Sequence, residues 1–221
     1  MNIYLESVDL EEIRNAAAAG LADGVAFAHT ASSANAADAN TRERLEEISR
    51  EFAFPVCVPV GAVTSSDIYS EARELAKISD HVVVQIPLVE DSLVPMARLT
   101  AEGVVVCATF VYSAAQAIIA AKTGAAALRV RLDDLERYGQ PGTRTLAEIK
   151  SALEACEEEC DVMAGSVASS VQFAECALAG ADIICLTPDS LRSLVVHPLS
   201  DRSVDRFLSD LARRPRTRAS T

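Results

Sequence analysis

Eight short apolar runs, each followed by a stretch of helical periodicity, constrain this chain more than any other feature of it. The runs are Asn2–Glu6, Gly24–Ala28, Pro55–Pro59, His81–Ile86, Val104–Thr109, Ala126–Val130, Asp161–Ala164 and Asp182–Leu186. Helical patterns follow them near Leu10–Ala19, Thr41–Glu51, Ser66–Ile78, Asp91–Ala101, Ser113–Lys122, Thr143–Glu158, Ser169–Ala179 and Pro188–Val195, and a further helix lies near Ser203–Ala212. Strands that are apolar on both faces and linked by helices belong to parallel sheets, because the helices cover both sides of the sheet. Eight such units predict an α/β fold, a single closed (β/α)8 TIM barrel with an extra C-terminal helix. An open doubly wound sheet shares the pattern, but the chain lacks the glycine-rich nucleotide turn that such sheets use. The expected division is a barrel over 1–201, a helix over 202–213 and a disordered basic tail over 214–221.

One segment tests this reading. Residues 103–121, GVVVCATFVYSAAQAIIAA, carry no charge and are nearly long enough to cross a bilayer. The first half is β-branched and the second alanine-rich, which predicts a buried strand followed by a helix packed on it. ADGVAF and AGADIICL place small residues just before a strand, as tight returns at the bottom of a barrel do.

With 221 residues, half of them apolar, the chain can bury a substantial core. Its net charge of -12 and pI near 4.7 argue against nucleic-acid or membrane partners, which would need a positive face. An anionic ligand must be met locally. Acidic residues near the start do not suit a signal peptide, so the expected compartment is the cytoplasm. The six cysteines lack paired zinc-ligand spacing and mostly sit in apolar runs, which suits reduced, buried thiols. Nothing calls for a redox cofactor or a metal. Residues 29–40, HTASSANAADAN, read either as a lid over the barrel or as a plain connector, and LDDLERYGQPGTR, residues 132–144, reads as a loop after the sixth strand.

Several stretches are similar, in order and spacing, to the small transaldolase and fructose-6-phosphate aldolase-like family. They are LEEIRNA, ADGV, EARELAKISDHVVVQIP, AEGVVVCATFVYSAAQAIIAAKTGA, RLDD, ALAGADI and HPLSDRSVDRFLSDL. The resemblance implies a (β/α)8 barrel whose last helix packs on a neighbouring subunit, so a homo-oligomer is expected. It also implies a Schiff-base lysine on the fourth strand in a VKIP-like motif. Gln85 stands at that position here, and an amide cannot form an imine. Lys77, Lys122 and Lys150 all fall on expected outer helices.

Other positions depart as well. The resemblance places an aspartate where this chain has Glu6, an asparagine where it has Ala28 followed by His29, a polar residue at Pro59, a further asparagine at Cys107 and a second arginine at Ala168. What it retains is Thr109, matching a threonine that holds the catalytic water, and Arg131 and Ser166, matching phosphate contacts; Arg129 compensates for the missing arginine if it points inward. The candidate catalytic residues are therefore Glu6, Gln85, Thr109, Cys107 and His29, and the candidate substrate or phosphate ligands are Arg131, Ser166 and Arg129. Cys57 and Cys107 share inward parity, although small core residues are their plainer role. His81 and His197 read as structural. The expected activity is lysine-independent acid-base chemistry of isomerase, dehydratase or lyase type, on a sugar phosphate or a similar small polyol or keto compound. A non-catalytic relative that binds a metabolite or a partner subunit is the alternative, and a transaldolase-like enzyme with another nucleophile is a third. Arg131 and Ser166 are expected together at the barrel mouth, with Glu6 and Gln85 facing the same space; an Arg131 directed outward into an ion pair with Asp133 or Asp134 would defeat the phosphate site and favour the non-catalytic reading.

Overall fold

A computed structural model of the chain describes residues 1–28 and 39–213. Its strands are β1 Asn2–Leu5, β2 Gly24–Ala26, β3 Val56–Pro59, β4 Val82–Pro87, β5 Val106–Thr109, β6 Ala127–Arg131, β7 Asp161–Gly165 and β8 Ile183–Leu186. They form one closed barrel in sequence order. All neighbours are parallel, and Asn2 to Leu5 pairing with Ile183 to Leu186 closes the ring. The helices are α1 Leu10–Ala18, α2 Ala39–Glu51, α3 Ser65–Ala76, α4 Glu90–Ala101, α5 Ala114–Lys122, α6 Leu132–Arg137, α7 Gly142–Ala155, α8 Ser170–Leu178, α9 Pro188–Ser193 and α10 Pro198–Arg213. The uncharged segment 103–121 becomes β5 and α5, and among the described residues no helix is long and apolar enough to cross a membrane.

Side chains alternate along each strand, so the barrel has two cores. Leu5, Val25, Val58, Val84, Leu128 and Ile184 face the helices and belong to the large outer core. Tyr4, Ala26, Cys57, Met163, Ile183 and Cys185 fill the interior. The glycine of ADGV serves this filling: a Cβ on Gly24 would stand 2.6 Å from Tyr4 Cε1, so only glycine leaves room for the ring.

Asp9, Thr64, Ser113, Ser169 and Thr187 cap α1, α3, α5, α8 and α9, each side chain accepting from first-turn N–H groups. These caps follow the strands' C-terminal ends, so the helix starts ring the mouth.

The segment after β6 departs from expectation. Residues 132–137 form α6 rather than a loop, because Leu132 and Leu135 are apolar at helical spacing and both are buried. The turn beyond brings Gly142 so close that a Cβ there would meet Leu132 Cβ at 3.1 Å.

The last helix begins at Pro198 and has no buried residue. Its apolar stripe, Val204, Phe207, Leu208 and Leu211, is 44–62% exposed and does not close the chain's own barrel. The tail 214–221 lies outside the described residues.

Candidate active site at the barrel mouth

Residues that end barrel strands converge on one mouth whatever their separation in sequence. Gln85 on β4 is fully buried and lies in register with Pro59 on β3 and Cys107 on β5. Thr109, the next inward position above Cys107, ends β5 opposite Pro87 and is also buried. Glu6 follows β1, with its N–H donating to the Leu186 carbonyl at 2.8 Å.

Arg129 points inward, as compensation for the missing arginine requires. Its side chain is 4% exposed, and Nη2 donates to Glu6 Oε1 across 123 positions of sequence. Each charge offsets the burial of the other, so removing one partner would strand the second in low dielectric. Gly165 on β7 makes the room: a Cβ there would stand 2.7 Å from Arg129 Nε.

In the barrel interior, five buried polar atoms have no hydrogen-bond partner among the described residues: Gln85 Oε1 and Nε2, Thr109 Oγ1, and Arg129 Nε and Nη1. Leaving a buried donor or acceptor unpaired costs about 1–3 kcal/mol. Concentrating five of them in one barrel interior is a strain that a packed core avoids and a binding site uses. Together they offer donors to a carbonyl oxygen and an acceptor to a hydroxyl.

Beneath them lie thiols. Burial pushes Cys57 and Cys107 well above the ordinary thiol range, and neighbouring buried cysteines add to the effect. Cys107 is therefore protonated at neutral pH, and its only hydrogen bond among the described residues is a long one to the Ala108 carbonyl, 3.9 Å. A thiolate nucleophile is not available at that place.

Above the interior, Arg131 and Ser166 lie near each other, as expected for strands six and seven, but their shared neighbour is Asp133. Arg131 Nη2 sits 2.9 Å from Asp133 Oδ2, and Nε sits 3.2 Å from Asp134 Oδ2. Tyr112 donates its hydroxyl to Asp134 at 2.8 Å, and Ser166 stands close enough to Asp133 to help lower its carboxyl. Burial pushes the Asp133 carboxyl up, but Arg131 and Ser166 outweigh it and hold it below its ordinary value. The expectation of an open phosphate grip at Arg131 is thereby corrected: α6 starts immediately after β6 and brings two carboxylates onto the guanidinium. Tyr112 was not foreseen as part of this cluster; nothing in its local sequence marks it, since its partner lies 22 residues away.

Phe110 and Ser166 adopt left-handed backbone, φ 58° and 62°, directly after β5 and β7. Such conformations cost of order 1–3 kcal/mol and collect at functional rims.

The three lysines stay away from the mouth. Lys77 caps the C-terminal end of α3 and pairs with Glu74; Lys122 ends α5 and pairs with Glu158. Lys150 on α7 reaches Asp182 at 2.7 Å, just before β8, at the bottom of the barrel. Of the histidines, His81 is exposed, and His197 accepts from the Leu199 N–H at 3.1 Å at the start of α10, a structural role. His29 and most of the 29–40 segment lie outside the described residues. Among the described residues no group of three or more His, Cys, Asp or Glu side chains is placed to hold a metal ion.

Comparison with known proteins agrees with this architecture. The chain is 32% identical over 213 residues to a probable transaldolase of Phenylobacterium zucineum, covering 96% of this chain and 97% of that protein. It is 34% identical over 210 residues to one of Herpetosiphon aurantiacus, with 95% and 94% covered, and 35% identical over 213 residues to one of Parvibaculum lavamentivorans, with 95% and 96% covered. The profile of the Transaldolase/Fructose-6-phosphate aldolase family matches residues 5–218, and the chain belongs to that family.

Proposed function

We propose that this barrel acts on a sugar phosphate or a similar small hydroxycarbonyl compound by acid-base chemistry at Glu6, without forming a Schiff base. The observation that carries the reading is the interior itself: among the described residues five polar atoms of Gln85, Thr109 and Arg129 are unpartnered in the barrel that also holds the Glu6–Arg129 pair, and all three lysines stand elsewhere. Gln85 Nε2, Thr109 Oγ1 and Arg129 Nη1 hold the carbonyl oxygen. Glu6 contacts Arg129 through Oε1, which leaves Oε2 to take a proton from the carbon beside that carbonyl. The C–H electron pair becomes the C=C bond of an enediolate, and the carbonyl π pair moves onto the oxygen. That oxygen is where the fixed donors act most strongly, because charge develops there as the barrier is crossed.

The enediolate then has three exits. Returning the proton to the neighbouring carbon isomerises the substrate, expelling a β-hydroxyl dehydrates it, and the reverse of carbon–carbon cleavage condenses it with an aldehyde. His29, three residues beyond the end of β2 in sequence, is proposed as an assisting proton carrier, and Cys107 contributes at most a thiol S–H to the wall. The protein works as a homo-oligomer joined through α10, a reading supported by the exposed apolar stripe of that helix.

The test is exchange of carbon-bound hydrogen in deuterium oxide, followed by NMR on dihydroxyacetone and fructose 6-phosphate. The wild-type chain should wash deuterium into one of them, and Glu6→Gln should slow the exchange by about 10²–10⁴-fold. Tight binding without exchange would favour a non-catalytic relative, and an unaffected Glu6→Gln rate would remove Glu6 from its role.

A further inference from the structure

We propose that the cleft between the ends of α2 and α3 binds the phosphate group of a small phosphorylated metabolite. Helices of such a barrel run from the mouth back to the bottom, so this cleft lies at the end opposite the candidate active site and is independent of its chemistry. It has a volume of about 470 Å³, room for a phosphate and an organic part besides. One face of α2 supplies Arg42, Glu46, Ser49 and Arg50, and the segment just beyond α3 supplies Lys77 and Ser79.

The chain carries 32 acids against 20 lysines and arginines, so three cations around one cleft run against its average. Two of them are answered. Arg42 stands 3.5 Å from Glu46, and Lys77 bonds Glu74, whose carboxyl is held below its ordinary value chiefly by that bond and further by Arg42. Arg50 has neither an acidic partner nor a hydrogen bond among the described residues, and it leaves the cleft with one positive charge to spend on an anion.

A lone surface guanidinium attracts every anion weakly; the hydroxyls beside it give the cleft its chemistry. Ser49 Oγ is buried and has no hydrogen-bond partner among the described residues. A helical serine can return its hydroxyl to the carbonyl one turn earlier, and Ser49 does not. Ser79 Oγ accepts from the His81 N–H at 3.2 Å, which leaves its own hydrogen to donate. A phosphate group has enough oxygens to accept from both hydroxyls and from the guanidinium at once, with charge assistance. Helix C-termini oppose an anion, but the carbonyls of Ile48, Leu75 and Ser79 already accept from the N–H groups of Phe52, Ile78 and Val82 at 2.9, 3.1 and 3.1 Å.

Inorganic phosphate and glycerol 3-phosphate, titrated into the full chain by calorimetry at constant ionic strength, test this. Both should bind at millimolar concentration, the ester more tightly, and Arg50→Gln should weaken both about tenfold or more. Ser49→Ala should weaken them about threefold or more while leaving the melting temperature unchanged or raised, because it removes a buried hydroxyl without a partner. Arg131→Gln, at the other end of the barrel, should leave phosphate binding as it is. Absence of phosphate binding, its loss in Arg131→Gln, or binding that neither Ser49→Ala nor Arg50→Gln moves overturns the proposal. Tighter binding of the bare ion than of the ester overturns the assignment to a phosphorylated metabolite.

Discussion

At the scale of single residues, the site depends on a glycine. Arg129 can enter the barrel because position 165 has no Cβ, and it can remain there because Glu6 receives its charge. Gly165→Ala would place a methyl 2.7 Å from Nε, in the middle of a side chain whose end is pinned, so the guanidinium cannot simply swing aside. We expect the variant to lose about 1–3 kcal/mol of stability by overpacking, read from urea denaturation. It should also weaken ketone binding, because Arg129 leaves its place beside Glu6. A variant as stable as the wild type, with unchanged binding, would show that Arg129 is not held as described. This arrangement was only partly legible in the sequence. The parity of β6 allowed Arg129 to face inward, but its partner is 123 positions away, and no local pattern links two residues at that distance.

At the scale of elements, the eight strands were legible because each is a short apolar run bounded by turn residues, and observed ends differ from the expected ones by at most two residues. The helix α6 was not. Its six residues carry only two apolar positions and are followed by Gly139, Pro141 and Gly142, which together read as a loop until the packing of Leu132 and Leu135 is seen. That short helix is also what turns Arg131 from a phosphate ligand into a partner of Asp133 and Asp134, so the misread element and the corrected site have one cause. The last helix gives the reverse case, an amphipathic pattern plain in sequence whose apolar face the described residues leave uncovered. If α10 joins subunits, light scattering at micromolar concentration will give a mass several times 23.5 kDa. Phe207→Asp with Leu211→Asp should reduce it to the monomer without unfolding the barrel, since neither side chain is buried in it. A monomeric wild-type chain would contradict this.

At the scale of the whole molecule, the chain has a closed eight-stranded barrel and belongs to the Transaldolase/Fructose-6-phosphate aldolase family, and the proposal places its difference in the interior. The scaffold depends on the outer core and the helix caps, which the mouth residues do not enter, so the interior can change while the fold stays. In the proposed reading the residues at the mouth, rather than family membership, set the mechanism. Every lysine sits on the helical layer, paired with an acid, and the strand position opposite Cys107 offers an amide. The central claim is that no amine of this protein reaches the substrate's carbonyl carbon. Borohydride reduction in the presence of dihydroxyacetone, followed by intact-mass and peptide analysis, tests it most directly. The account predicts a chain that keeps its unmodified mass under conditions where dihydroxyacetone exchanges its carbon-bound hydrogens. A stable adduct on Lys77, Lys122 or Lys150 would contradict it.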